Sequence, residues 1–558
     1  MMAIMIYVVL LIALTPPLGA YMERVYRSDR IGRVEGIVYR TLGIDPIVEQ
    51  SWSRYGASVL WFSLVGMVFL YVLLRVQGSL PLNPTGSPGV EGVVAFNAAS
   101  SFVTNTNWQV YSGETAMSHL SQMLGLTVQN FASAAVGMAV LVATVRGFAR
   151  AHVHEVGNFW RDVVRGIVYI LLPLSVVVAL VLISQGVVQT LAGPQAVTGI
   201  QGSHQLIARG PVASQVAIKQ LGTNGGGFFN ANSAHPLEGG MPLGTFVEAL
   251  AILAIPAGLT STFGRMVGNR RHGWVVFAAM LALFVGGLAL TVPADRTSSA
   301  AMRAAGVPSS APNLEGKEQR IGVEGSALWA VATTGASNGS VNSMHDSFRP
   351  LGQVAPMFNM AVGEVVFGGV GSGLYGMLFY VVIAVFIGGL MIGRTPEYLG
   401  KKIGPREMKI AVLAVLVPIL LVLGLAALAS VIPQGTDARL NDGPHGFSEI
   451  LYAFLSMGNN NGSAFAGLTG SGPFYAISGG VLMIAARFVP LLCALALGGS
   501  VGTQGSVPDT PGTLHTDSVL FVVLLVCVVV VIGALTFLPA LVLGPIVEHL
   551  LQGAGRLF

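Results

Sequence analysis

Charge is what this chain has least of. Only 10% of its 558 residues are Asp, Glu, Lys or Arg, and 53% are hydrophobic, whereas soluble domains carry about 25% charged residues. That balance argues against a soluble enzyme. The 29 basic and 25 acidic residues leave a formal charge of +4. No basic run is interleaved with aromatics, so nucleic acid is set aside as a partner. Cysteine is almost missing. Cys493 and Cys527 lie in apolar segments, cannot make a disulfide framework or metal site by themselves, and read as small packing residues. No G-x-x-x-x-G-K-S/T phosphate loop occurs. Gly316-Lys317-Glu318 comes nearest and lacks both the preceding glycine and the hydroxyl. No soluble segment is long enough for a nucleotide-binding domain, so no nucleotide is expected on this chain. If it pumps, the energy comes from another chain. Glycine, by contrast, is abundant at 72 residues, which suits close helix packing in membranes.

Apolar runs long enough to cross a bilayer, about 20 residues, occur ten times. They centre near 2–20, 57–77, 125–145, 166–190, 245–264, 274–292, 371–393, 410–431, 475–498 and 517–545. The first has no basic residue before it and arginines after it, so it reads as a retained helix rather than a cleaved signal. The segments after the first, third, fifth and seventh runs carry six, four, three and five Lys or Arg, among them Arg394. The opposite segments carry Arg209, Lys219, Arg296, Arg303, Lys317, Arg320, Arg349 and Arg439, five of them in the long loop 293–370. Long loops count little in the positive-inside rule, so the arginine-rich side is cytoplasmic and both termini lie outside. The segment 499–516 has no Lys or Arg, and its cytoplasmic placement rests on alternation alone.

Each outer segment after the second, fourth, sixth and eighth runs holds a neutral polar stretch: "TNTNWQ" from Thr104, "GTNGGGFFN" from Gly222, "SNGSVNSMHD" from Ser337 and "NNNGSAF" from Asn459. With Thr106, Gly225, Gly339 and Gly462 taken as equivalent, they recur at intervals of 119, 114 and 123 residues. One such stretch would read as an ordinary polar turn. Four at matched spacing on one side make an internal repeat, and repeats of this kind place their functional sites where they meet. The expected architecture is an all-α polytopic membrane protein of ten transmembrane helices. Four helix–pore loop–helix units surround a central pore, with one extra helix at each end. The boundaries are 1–56 for the N-terminal helix and cytoplasmic loop, 57–165, 166–273, 274–409 and 410–500 for the pore repeats, and 501–558 for the last loop and helix.

Irregular backbone at membrane depth is tolerated only where protein buries it or water lines it. Four such loops on one axis would form a ring of oxygens, with glycine allowing positive φ and close approach. Carbonyl rings of this kind replace the hydration shell of a monovalent cation. The stretches hold no Asp or Glu except Asp346, well past the glycine, so the carboxylate ring expected of a divalent-cation pore is missing. Potassium is favoured, and sodium is hard to exclude from residues alone.

Two charges stand near apolar runs in the last two repeats, Glu364 and Arg487. An unpaired ion there costs about 2.5–3.5 kcal/mol on insertion scales, so a buried pair beside the pore is expected, with snorkelling as the alternative. Glu248, in the fifth run, is left unassigned. "GGVGSGLYG", residues 368–376, contains Gly369, Gly371 and Gly373 and predicts a helix that is broken or begins late. It reads either as a gate below the loops or as a close-packing face. His152 and His154 are expected in solvent, and His235 and His345 to hydrogen-bond locally.

With "GRTPEYLGKKI" from Gly393, the four stretches "TNTNWQ", "TNGGGFFNANSAHP", "NGSVNSMHDSF" and "NNGSAFAG" closely resemble the potassium-binding subunits of the bacterial Kdp potassium-transporting ATPase. The resemblance covers essentially the whole chain. It implies a non-catalytic subunit that binds extracellular K+ in a channel-like filter and delivers it to a P-type ATPase subunit, for high-affinity import across the bacterial cytoplasmic (inner) membrane. It also implies a single-span accessory subunit, a small membrane peptide and the lipid bilayer as partners. The filter positions it implies are Asn105, Thr106 and Asn107, with Gln109 linked to cation affinity; Thr223, Asn224 and Gly225; Asn338, Gly339 and Ser340; and Asn461, Gly462 and Ser463. A gating break near the glycine run and an acid–base pair at Glu364 and Arg487 are implied as well. An ATP-independent potassium symporter or channel of the same four-loop superfamily is the runner-up. A membrane-embedded enzyme lacks any plausible catalytic set, and a scaffold subunit with no pore is a third class.

Overall fold

Each apolar run becomes a helix. The computed structural model describes every residue except 299, 392, 394, 507–513 and 557–558, and the backbone alone of 300 and 301. Arg394 and part of the segment 499–516 therefore lie outside the described residues. Among the described residues, ten helices are long and apolar enough to cross a membrane: Met2–Arg27, Trp52–Ser79, Ser121–Ala149, Phe159–Ser184, Pro242–Met266, Arg270–Asp295, Ser372–Met391, Pro405–Ala429, Pro473–Gly502 and Val519–Gly553. The chain is thus a multi-pass membrane protein. Boundaries shift where charge is paired. The fourth span begins at Phe159 rather than near 166, because Arg165 in its first turns reaches Glu35 at 2.7 Å and Asp162 takes two bonds from Arg146 at 2.6 and 2.8 Å. Hydropathy alone discounts such charged turns.

Between paired spans lie four shorter helices: Gly92–Val103, Val212–Leu221, Gly322–Gly335 and Gly443–Gly458. At 1.5 Å per residue, helices of 10 to 16 residues fall short of a roughly 30 Å hydrocarbon core. Each runs directly into one of the neutral polar stretches. The third and fifth spans, which follow two of those stretches, are mostly buried, whereas the first and second spans are largely exposed. The interior therefore forms around the polar loops, and the outer spans face lipid or partners.

The seventh span is interrupted. A helix over Pro350–Ala361 stops, residues 362–371 are irregular, and Ser372–Met391 resumes, as the glycine run predicts. The N-terminus and the last helix sit with the short helices' entrances. The Met1 amino group contacts Glu324 at the start of the third short helix. Glu548, near the other end, bonds His445 at the start of the fourth at 3.0 Å.

Candidate functional site

A repeated backbone conformation marks the four loops. Positive φ occurs in pairs two residues apart: Asn105 and Asn107, Thr223 and Gly225, Ser337 and Gly339, Asn460 and Gly462. In each loop the intervening residue's N–H donates to the carbonyl five residues back: Thr106 to Ser101 at 2.9 Å, Asn224 to Lys219 at 2.8 Å, Asn338 to Thr333 at 3.0 Å and Asn461 to Ser456 at 2.8 Å. This corrects the register read from sequence. Asn107, not Thr106, is the counterpart of Gly225, Gly339 and Gly462, so the intervals are 118, 114 and 123 residues. The sequence misled because three loops fill the left-handed position with glycine and the first fills it with asparagine, which also visits that region.

Glycine at those positions is a contact requirement as well. A Cβ on Gly225 would strike the Asn338 carbonyl, one on Gly339 the Asn461 carbonyl, and one on Gly462 the Thr106 carbonyl. Loop two therefore abuts loop three, loop three abuts loop four, and loop four abuts loop one. Side chains close the circle. Asn105 Nδ2 donates to the Gly222 and Thr223 carbonyls at 3.2 and 2.8 Å, Ser337 Oγ to Asn459 and Asn460 at 3.0 and 3.1 Å, and Asn460 Nδ2 to Thr106 Oγ1 at 3.0 Å. Asn338 Nδ2 reaches the Lys219 carbonyl at 3.0 Å and Asn461 Nδ2 that of Thr333 at 2.9 Å.

The braces leave one ring unused. Among the described residues, no hydrogen bond is made to the main-chain oxygens of Thr106, Asn224, Asn338 and Asn461, one from each loop. Free carbonyls in a buried place are costly without a partner, so this ring suits a dehydrated cation. The short helices add to it, since each C-terminus, the negative end of a helix dipole, leads straight into its loop. Asn107, Gly225, Gly339 and Gly462 line one cavity of about 630 Å³, with Gln109 and Ser463 at its wall. Gln109 clasps the second loop, giving 3.1 Å to the Gly227 carbonyl and accepting 3.0 Å from its N–H. Ser340 and Ser463 turn back onto Asn338 Oδ1 and Asn461 Oδ1.

The break in the seventh span lies against these loops. Phe367 and Gly368 N–H donate to the Gly335 carbonyl at 3.0 and 2.7 Å. A Cβ on Gly369 would come within 3.2 Å of Ser337 and 3.4 Å of Thr223. Gly371 has a φ of +91° and abuts the Gly137 carbonyl, and Gly373 abuts Gly368. Glu364 and Arg487 are both buried and line one cavity with Ser337, Gly369, Asn459 and Asn460. They do not form the direct pair expected. Among the described residues no ion pair within 4 Å joins them, and Arg487 acts on Glu364 only from a distance. Neither reaches the protein surface, as both are buried.

Lys219 corrects a second expectation. Counted as a loop charge, it is instead fully buried on the second short helix, with its ammonium on Glu238 and on Asn232 Oδ1 at 2.7 Å. Glu248, unassigned from sequence, accepts from the Gln220 amide at 2.9 Å and the Ser233 hydroxyl at 2.7 Å. Ser133 and Asn130, on the third span, support Asn105 and Asn107 at 2.7 Å each and were not singled out from sequence. Reading 212–221 as a helix would have placed Lys219 behind the loop. The histidines behave as expected except His345, whose partner is not local but lies on the fourth short helix. His152 and His154 are exposed, His235 accepts from Leu237 N–H at 3.1 Å, and His345 meets the Tyr452 hydroxyl at 2.8 Å.

Similar proteins share both sequence and fold. The chain is 55% identical to the potassium-transporting ATPase potassium-binding subunit of Sorangium cellulosum over 98% of both chains. It is 53% identical to that of Methylococcus capsulatus over 99% of this chain and 98% of the other. Among solved structures, the potassium transporter TrkH from Vibrio parahaemolyticus superposes with a TM-score of 0.51 at 14% identity, over 88% of this chain and 96% of that one, a likeness of fold. Residues 5–550 match the family described as KdpA, potassium-transporting ATPase A subunit, and the chain belongs to that family.

Proposed function

We propose that this chain is the potassium-binding subunit of an ATP-driven importer, and that K+ sits in the ring made by Thr106, Asn224, Asn338 and Asn461. The observation that carries the reading is the fourfold recurrence of paired left-handed residues flanking one free carbonyl per loop. An uncharged ring of main-chain oxygens, faced by four helix C-termini, favours a weakly hydrated monovalent cation. Asn105, Asn107, Gln109, Thr223, Gly225, Gly339, Ser340, Gly462 and Ser463 hold the ring in shape. Below it, Gly369, Gly371 and Gly373 give the broken span its bends and form the gate, and Glu364 and Arg487 flank the cavity that an ion would enter next.

The catalytic step belongs to a P-type ATPase subunit, accompanied by a single-span subunit and a small membrane peptide. The membrane is the bacterial inner membrane, with both termini outside. The repeats run over 57–165, 166–273, 274–409 and 410–500. The names of relatives at 53–55% identity support an ATPase subunit over an ATP-independent symporter. The test is Gly225→Asp in the co-expressed complex. Lost or altered potassium selectivity with assembly intact supports the ring, whereas unchanged selectivity with lost assembly supports a scaffold. Uptake that survives ATP depletion would favour the symporter.

A further inference from the structure

The second loop differs from the other three in what stands behind it. The carbonyls that receive the N–H groups of Thr106, Asn224, Asn338 and Asn461 belong to Ser101, Lys219, Thr333 and Ser456. Three are small hydroxyl residues, and one is a fully buried cation. Its ammonium contacts Glu238, also fully buried, and donates to Asn232 Oδ1 at 2.7 Å. Asn232 then donates from Nδ2 to the Gly225 carbonyl at 2.8 Å, and Glu238 accepts the Phe229 N–H at 3.0 Å. The main chain of Lys219 completes the hold, since its carbonyl takes the N–H groups of Asn224 and Gly225 and the amide of Asn338.

A buried ion pair is poor as a source of stability, because desolvating both charges offsets their attraction. A cation beside a cation site is worse still unless an acid cancels it. Burying both here makes sense if they fix something an apolar pair could not. We propose that Lys219, neutralised by Glu238, is a positioning residue. Acting through Asn232, it clamps the Gly225 carbonyl and so sets how strictly the ring discriminates between alkali cations. The ammonium orients the Asn232 amide, since Oδ1 faces the charge and Nδ2 must then face Gly225. The Gly225 oxygen is thereby held back on the protein, and the second loop cannot collapse onto a smaller ion. The other loops carry no charged clamp at this position, so the discrimination resides unequally in the ring.

The inference rests on the four-loop ring being the ion site. The experiment uses the complete membrane complex and measures the K+ dependence of uptake together with Rb+ and Na+ competition. Lys219→Met with Glu238→Gln removes both charges at near-constant volume. Asn232→Asp keeps the acceptor for Lys219 and loses the donor to Gly225. Both are expected to raise the apparent KM for K+ about tenfold, near the upper end of what one lost hydrogen bond accounts for, and to lower discrimination against Rb+ and Na+, with a smaller effect on maximal rate. If the double variant does not assemble, Asn232→Asp alone decides. Assembled complexes with unchanged KM and unchanged ion ratios overturn the proposal. Gly225→Asp in parallel separates the two failures: altered selectivity there with none in the clamp variants rejects the clamp alone, and no change in any of them rejects the ring.

Discussion

The backbone N–H of Val370 donates to the hydroxyl of Thr223 at 3.0 Å, so the break in the seventh span is tied to the second polar loop. Thr223 occupies a left-handed position in that loop, with a φ of +49°. One side chain thus reads the state of both the ring and the segment below it. Thr223→Val keeps the shape and removes the acceptor, leaving a buried N–H unsatisfied at a cost of about 1–3 kcal/mol. The expected outcome is faster amide exchange across 368–373 and weaker coupling of ATP hydrolysis to K+ in the assembled complex. Exchange measured by mass spectrometry in nanodiscs checks it, and wild-type protection of that segment would refute the tie.

The corrected register makes its own prediction. Asn107 stands where three loops have glycine, so Asn107→Gly reproduces their backbone and loses only the 2.7 Å bond to Asn130. Apparent K+ affinity is expected to stay within about threefold, consistent with a single net hydrogen bond of roughly 0.5–1.5 kcal/mol partly offset by relief of the left-handed residue. Thr106→Gly removes the hydroxyl that Asn460 and Thr104 hold and loosens the ring residue itself. Its affinity should fall by more. Uptake titrations on the two variants decide, and the opposite ranking would restore the register read from glycine.

How much of this was visible in the sequence depends on what each feature needed. Spans are long apolar runs and declare themselves, and the fourfold order followed from polar stretches at matched intervals. The glycine run announced the broken helix, because each glycine weakens a helix by about 1 kcal/mol, although its last five residues, with Gly373 and Gly376, already belong to the resumed helix. The partners of Lys219 and Glu248 could not be read. Both depend on short helices folding back beneath the loops, which brings residues 219 and 238 face to face although hydropathy alone puts Lys219 in a loop. The same holds for Glu364 and Arg487: opposite sign in neighbouring repeats suggested a pair, but only the path of residues 362–371 sets Glu364 on the cavity that Arg487 also lines.

His445 offers a pH test at the start of the fourth short helix. Burial works against its charge, but bonds to Asp346 and Glu548, at 3.0 Å each, outweigh this and push its pKa up to about 10. The folded value therefore lies above the ordinary 6.5. The protonated bridge contributes its full stability below that ordinary value and loses it as pH rises through about 10. It joins the fourth short helix to the C-terminal helix and to the segment after the third loop. Thermal unfolding of the purified complex between pH 6 and 10 should show wild type losing its advantage over His445→Gln as pH climbs. A difference that stays constant across that range would mean the bridge is neutral.

Two glycines of the seventh-span break separate conformation from contact. Gly363 has a φ of +77° with nothing within 4 Å of a Cβ built on it, while Gly371, at +91°, abuts the carbonyl of Gly137 on the third span. Alanine at 363 meets only the left-handed penalty, about 1–2 kcal/mol. Alanine at 371 meets that penalty and must also push the break off the third span, where backbone cannot yield as a flexible side chain can. Gly363→Ala is expected to assemble with a slightly lowered melting temperature and to keep K+ uptake. Gly371→Ala should lose uptake and unfold at a markedly lower temperature. Melting curves with uptake on both variants check it. Equal effects would mean that bend angle alone, and not the close seat on Gly137, is what the break requires.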